Sequence, residues 1–249
     1  MDAIATYALR LGDDSLILGQ RLSEWCGHAP ALEVDLSLAN VALDQVGQAT
    51  HFLNLAGELE GKGRDGDALA FRRDVMDFTN CLLVEQPNGD FAQTIARQLL
   101  FSHYQELLFT ALMGSKNATI AAIAAKAVKE TSYHATLASD WVVRLGDGTD
   151  ESKARMVAGL DWMWRFADEL FVMDEVDAAA IKAGVGVDKA SLRAAWETRI
   201  DAVLADATLA RPAPRRATTG GRIGRHSEHL GHLLSDMQFL QRAYPGATW

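Results

Sequence analysis

Two residues in the stretch Lys126-Ala-Val-Lys-Glu130-Thr-Ser-Tyr-His134-Ala-Thr-Leu-Ala-Ser-Asp140-Trp141 have the types and spacing for metal or acid–base chemistry. On a helix, Glu130 and His134 lie about 40° apart, so a carboxylate and an imidazole share one side. Helical bundles that hold two iron or manganese ions take a Glu from each of two helices and a Glu-x-x-His pair from each of two others. Here the spacing is i,i+4, with Thr131 three residues before the histidine. Zinc helices use two ligands at i,i+4, so the spacing alone does not exclude a metal. The remaining ligands decide the matter.

Those ligands are scarce. The nearest second pair is Asp44 with Gln48, and Gly47 occupies the i+3 position. A carboxamide is neutral and a poor substitute where a transition metal prefers imidazole or carboxylate. The first helical stretch reads Leu18-Gly19-Gln20-Arg21 at its middle, with acids only toward its ends at Asp13, Asp14 and Glu24. His103 and Glu106 can face inward from another helix, but one helix cannot complete the set. The expectation is therefore no catalytic residue, no cofactor and no dinuclear metal in this chain. Glu130, His134, Asp44 and Gln48 are read as a vestigial site, a buried and mutually hydrogen-bonded network, since solitary buried charges are costly. A mononuclear metal at Glu130 and His134 stays open.

Three other groupings invite chemistry. Cys26-Gly-His28 has a zinc-like Cys-x-His spacing but no second ligand pair, and a histidine at a helix end is favourable without metal. His226, His229 and His232 span roughly 120° of helix surface and could hold a surface metal; against this stands Ser227 as a helix N-cap followed by Glu228. Arg211, Arg215, Arg216, Arg222 and Arg225 alternate with Gly220, Gly221 and Gly224. This basic, flexible island fits no Walker or dinucleotide motif; it suits phosphates or an acidic partner surface, with Arg222 and Arg225 as the contacts, or else is simply solvated.

Helical periodicity dominates, and no run alternates as a strand would. Expected helices cover about 2 to 25, with a disturbance at Gly12, and 31 to 58, with Gly47 marking a close helix crossing. Others cover 67 to 77, 90 to 114, 118 to 146, 150 to 173, 175 to 183, 189 to 208 and 227 to 244. Links between the first and second long helices, and between the third and fourth, are short; the link between the second and third is long. That order predicts an all-α, ferritin-like four-helix bundle with one long crossover. The expected domain is single, 1–249, with core helices over roughly 2–146 and C-terminal helices over 150–244 packed on the core. Trp162, Trp164, Phe166 and Phe171 are spaced as core or subunit contacts.

The chain has 249 residues and a net charge of −9, which argues against nucleic acid or anionic membrane as a partner. No apolar run is long enough to span a bilayer, and Met1-Asp2-Ala3-Ile4 does not begin a secretory signal. Cys26 and Cys81 make no disulfide framework, so a reduced cytoplasmic protein is expected.

Long stretches then carry a resemblance: Arg21-Leu-Ser-Glu-Trp-Cys-Gly-His28-Ala-Pro30, Glu33-Val-Asp-Leu, Leu38-Ala-Asn40, and Leu83-Val-Glu-Gln-Pro-Asn-Gly89-Asp-Phe-Ala. Trp164-Arg-Phe-Ala-Asp-Glu-Leu-Phe171, His229-Leu230 and Gln238-Phe-Leu-Gln-Arg242 extend it almost to the C-terminus. On these the chain resembles the C-subunit family (PaaC type) of the bacterial ring 1,2-phenylacetyl-CoA epoxidases, or phenylacetyl-CoA monooxygenases. The resemblance implies a non-catalytic structural or regulatory subunit in aerobic phenylacetate catabolism. Its partners would be the catalytic A subunit, which carries di-iron and binds the CoA thioester, and the other epoxidase subunits. The reductase subunit would hold flavin and an iron–sulfur centre and draw on NADPH. Any role of this chain in CoA-thioester binding would be indirect. The competing reading is a self-sufficient ferritin-like metalloenzyme or metal-binding bundle built on Glu130 and His134.

Overall fold

The computed structural model describes residues 2–247, and every regular element among them is helical. The described residues form two compact units, one of those up to 86 with 175–182 and those from 220 on, the other of 87–174 and 183–219. Neither is a continuous stretch.

The first unit is built on the hairpin of α1 (Ala3–Ser23) and α2 (Leu32–Glu60). α1 runs unbroken through Gly12, so the expected disturbance there is absent. Gly12 is instead a contact point: a Cβ would meet Leu53 Cδ2 at 2.7 Å, and one on Gly19 would meet Val46 Cγ2 at 3.0 Å. Two small residues seven apart on α1 let the helices approach closely. Gly47 on α2, which the sequence marked as a crossing, has nothing within 4 Å of its Cβ position. α3 (Gly66–Phe71), a 3-10 turn at Val75–Asp77, α4 (Leu82–Glu85), α8 (Glu175–Lys182) and α10 (Glu228–Ala243) complete this unit. α1 touches α2, α4, α8 and α10, so it is enclosed on nearly all sides.

The second unit is built on the hairpin of α5 (Phe91–Leu112) and α6 (Ala118–Gly146), on which α7 (Asp150–Ala167) and α9 (Lys189–Asp206) pack. Its starts are chemically marked. The Asp90 carboxylate accepts from Gln93 N at 2.9 Å, and the Asn117 side chain accepts from Thr119 N and Ile120 N. Trp196 is buried and donates its indole N–H to Leu100 O at 2.9 Å. Trp164 and Phe171 pack on it at 5.9 and 5.2 Å. Phe166 and Phe171 are thus core, as their spacing predicted, while Trp162 is partly exposed beneath the Arg165 guanidinium.

The segment Gly220–Arg225, expected to be flexible, is fixed. A Cβ on Gly221 would overlap the Asn80 carbonyl oxygen, and Gly224, at φ +73, lies against Met76 O. These glycines permit backbone-on-backbone packing.

Candidate functional site

Glu130 and His134 are neighbours on α6 with different surroundings. Glu130 is partly exposed and lies 3.8 Å from Lys126 one turn earlier. His134 is buried, its ring 6.2 Å from that of Tyr133. Both belong to the second unit, whereas Asp44 and Gln48 belong to the first. Gln48 is buried, and its Oε1 accepts a long hydrogen bond from Ser15 Oγ at 3.5 Å. Asp44 is partly exposed.

α1 runs from Ala3 to Ser23, so Asp13 and Asp14 lie at its middle and not toward an end as expected, and both are occupied. Asp13 is fully buried and faces the Arg73 guanidinium with both oxygens, one at 3.0 Å, while also accepting from Thr79 N and Thr79 Oγ1 at 2.8 and 2.9 Å. Asp14 forms a second bidentate pair with Arg222 at 3.0 and 2.7 Å and accepts from Cys81 N at 2.7 Å. Arg10 lies 3.6 Å from Asp177. Paired carboxylate–guanidinium forks of this kind anchor chain segments. Here they fasten residues 73–81 and 222 onto α1.

Arg222, expected as a contact to a partner or to phosphates, lies within the fold. Its side chain is 11 % exposed and faces Asp14 and Thr79 O. The reason is tertiary: Gly221 and Gly224 bring the loop against residues 76–80. Arg225 is exposed. Arg211 and Arg215 also pair within the chain, with Asp201 and Asp161 at 2.6 Å each.

The three histidines near α10 do not converge. His226 points inward: Nδ1 is 2.7 Å from Glu85 Oε2 and Nε2 is 2.9 Å from Phe78 O. Glu85 is fully buried and also accepts from Asn80 Nδ2 and Ser227 N. His232 is exposed and His229 is half-buried. Ser227 occupies the N-cap position, yet its hydroxyl makes no capping bond; its backbone N–H is held by Glu85. His28 Nδ1 meets its own loop's Cys26 O at 3.0 Å.

His103 on α5 is a further buried imidazole. Ser139 Oγ donates to Ala135 O, so it accepts from His103 Nε2–H at 2.9 Å, and Nδ1 is bare. Burial foremost, then the Arg199 charge, partly offset by Glu106, depresses its pKa to about 4. A base depressed in the folded state favours folding above its unfolded value near 6.5, and that advantage is lost as pH falls toward 4. We expect this residue to remove up to about 3 kcal/mol of stability between those pH values. A His103→Gln chain should lack that part of the acid loss in urea titrations; an identical pH profile would contradict it.

Among the described residues no group of three or more His, Cys, Asp or Glu is placed to hold a metal ion. A di-iron centre does not fit the donor set: α1 offers carboxylates already bound to arginines, and α2 offers Gln48 where an imidazole or carboxylate is needed.

The family model described as phenylacetic acid catabolic protein matches residues 1–249, the whole chain. The chain belongs to the phenylacetic acid catabolic protein family. The family's fold is ferritin-like and helical, in agreement with the all-α structure and with the sequence expectation. A relative from Escherichia coli (strain K12), named as the C subunit of 1,2-phenylacetyl-CoA epoxidase, is 52 % identical over 249 residues, covering all of both chains. No helix among the described residues is long and apolar enough to cross a membrane.

The sequence reading missed the buried pairs Asp13–Arg73, Asp14–Arg222 and Glu85–His226. A signal existed for the first two: Asp13 and Asp14 interrupt Leu9, Leu11, Leu16, Ile17 and Leu18, and charges in so apolar a helix require partners.

Proposed function

We propose that this chain is a non-catalytic subunit of a cytoplasmic ring 1,2-phenylacetyl-CoA epoxidase, pairing with and stabilising a di-iron catalytic subunit in aerobic phenylacetate catabolism. The observation that carries the non-catalytic part is the engagement of Asp13 and Asp14 by Arg73 and Arg222. Acids that a bundle would need for metal are built into the scaffold instead. Support for the epoxidase comes from the full-length likeness to a protein named as one of its subunits. In this reading iron, flavin and the iron–sulfur centre reside in other subunits, and this chain contributes shape and surface. A contact with CoA phosphates through the 211–225 segment would fall to Arg225, since Arg222 is committed to Asp14.

The test is reconstitution of the epoxidase with and without this chain. We expect its omission to lower the yield of soluble catalytic subunit and to reduce epoxidation at least tenfold. Equal solubility and equal turnover without it would overturn the reading.

A further inference from the structure

The exposed face of α2 has features that its own chain does not explain. Leu32, Leu36 and Leu43 are 72, 57 and 68 % exposed. With Ala39, Gly47 and Thr50 they fall within an arc of about 80° on the helix, a continuous ridge over nearly five turns. Gly47 sits in the middle of a long helix, where glycine is unfavourable, and no atom lies within 4 Å of its Cβ position to require it. An unexplained small residue on a ridge of exposed leucines is the pattern of a close helix crossing whose second helix belongs to another molecule.

The charges say which molecule. From Leu32 to Glu60 there is no Lys or Arg, and Asp35 flanks the ridge on one side with Glu33 on the other. Two copies of this ridge would bring acid against acid. We propose that the α2 ridge is the docking surface for an amphipathic helix of the catalytic subunit, one with an apolar seam flanked by Lys or Arg, crossing closest at Gly47. The proposal rests on the subunit reading above and gives it a location.

The experiment compares the wild-type chain, Leu36→Lys with Leu43→Lys, and Gly47→Leu, each alone and with the co-expressed catalytic subunit. The wild-type chain alone should be monomeric, and its association should weaken as salt is raised. The double variant should retain the isolated chain's melting temperature and bind on the order of 100-fold more weakly. Gly47→Leu should act with opposite signs. It should raise the melting temperature of the isolated chain by about 2–4 °C through helix propensity, and weaken the complex at least tenfold by thickening the ridge. If the wild type pairs and both variants pair equally tightly, the ridge assignment is overturned while the subunit reading stands. If the wild type does not pair, the subunit reading falls and takes the ridge with it. A wild-type homodimer broken by the lysines would overturn the assigned occupant.

Discussion

Replacing Asp13 by alanine is expected to cost this chain about 3–5 kcal/mol of stability, the range for breaking a buried ion pair from one side. The carboxylate is fully buried and meets four donors: two from Arg73, the Thr79 amide and the Thr79 hydroxyl. Removing it leaves the Arg73 guanidinium, 4 % exposed and stacked 4.1 Å over Phe78, without its counter-charge. Arg73 keeps acceptors at Leu69 O and Asp77 O, but carbonyl dipoles do not neutralise a buried cation. A midpoint lowered by on the order of 10 °C follows for a domain of this size. Asp13→Leu combined with Arg73→Met should recover much of the loss, because replacing both partners leaves no orphaned charge. Urea denaturation of the three chains checks this; a loss under about 1 kcal/mol for Asp13→Ala would mean that the pair does not hold residues 73–79 to α1.

The second large effect depends on pH. Both ring nitrogens of His226 face acceptors, the Glu85 carboxylate and the Phe78 carbonyl, so only the imidazolium donates to both. Burial alone would push its pKa down. The Glu85 hydrogen bond and charge, the Phe78 carbonyl and the more distant Asp13 outweigh this and raise it. A base raised in the folded state contributes fully below its unfolded value near 6.5 and loses that contribution as pH climbs through the folded value. Stability should therefore decline above pH 6.5, by up to about 1.4 kcal/mol per pH unit within that window. His226→Gln should remove this alkaline decline and should be least stable, relative to the wild type, below pH 6.5. A wild-type chain flat above pH 6.5, or a variant with the same decline, would contradict the assignment. His103 acts with the opposite sign below the same pH, so the two imidazoles together favour a maximum near 6.5.

The helices were legible because each carries its own marks. Asn117 and Asp90 begin helices where their side chains can accept backbone N–H bonds, and Gly61 ends α2 in a left-handed conformation. Helix ends shifted by a few residues where the chain tightens into 3-10 turns, as at Asp168–Phe171. The candidate site was less legible, because what matters there is pairing between distant segments. Composition made Arg211–Arg225 look flexible and solvated; only the packing of Gly221 on Asn80 brings Arg222 within reach of Asp14, 208 positions away. Ser227 has the residue type and place of a cap, yet Glu85 from another segment holds its amide. Gly47 marks a close helix crossing in the sequence, and in the structure nothing lies within 4 Å of its Cβ position. Local rules report local geometry, and long-range charge pairs leave a trace only when, like Asp13 and Asp14, they interrupt an apolar helix.

The proposed role is structural, with the metal centre in a partner subunit. Its most direct test is the iron content and oxygen-dependent turnover of the chain purified alone after growth with added iron. Far less than one iron per chain and no turnover are expected. Near-stoichiometric iron with turnover would contradict it and return Glu130 and His134 to the centre of an active site.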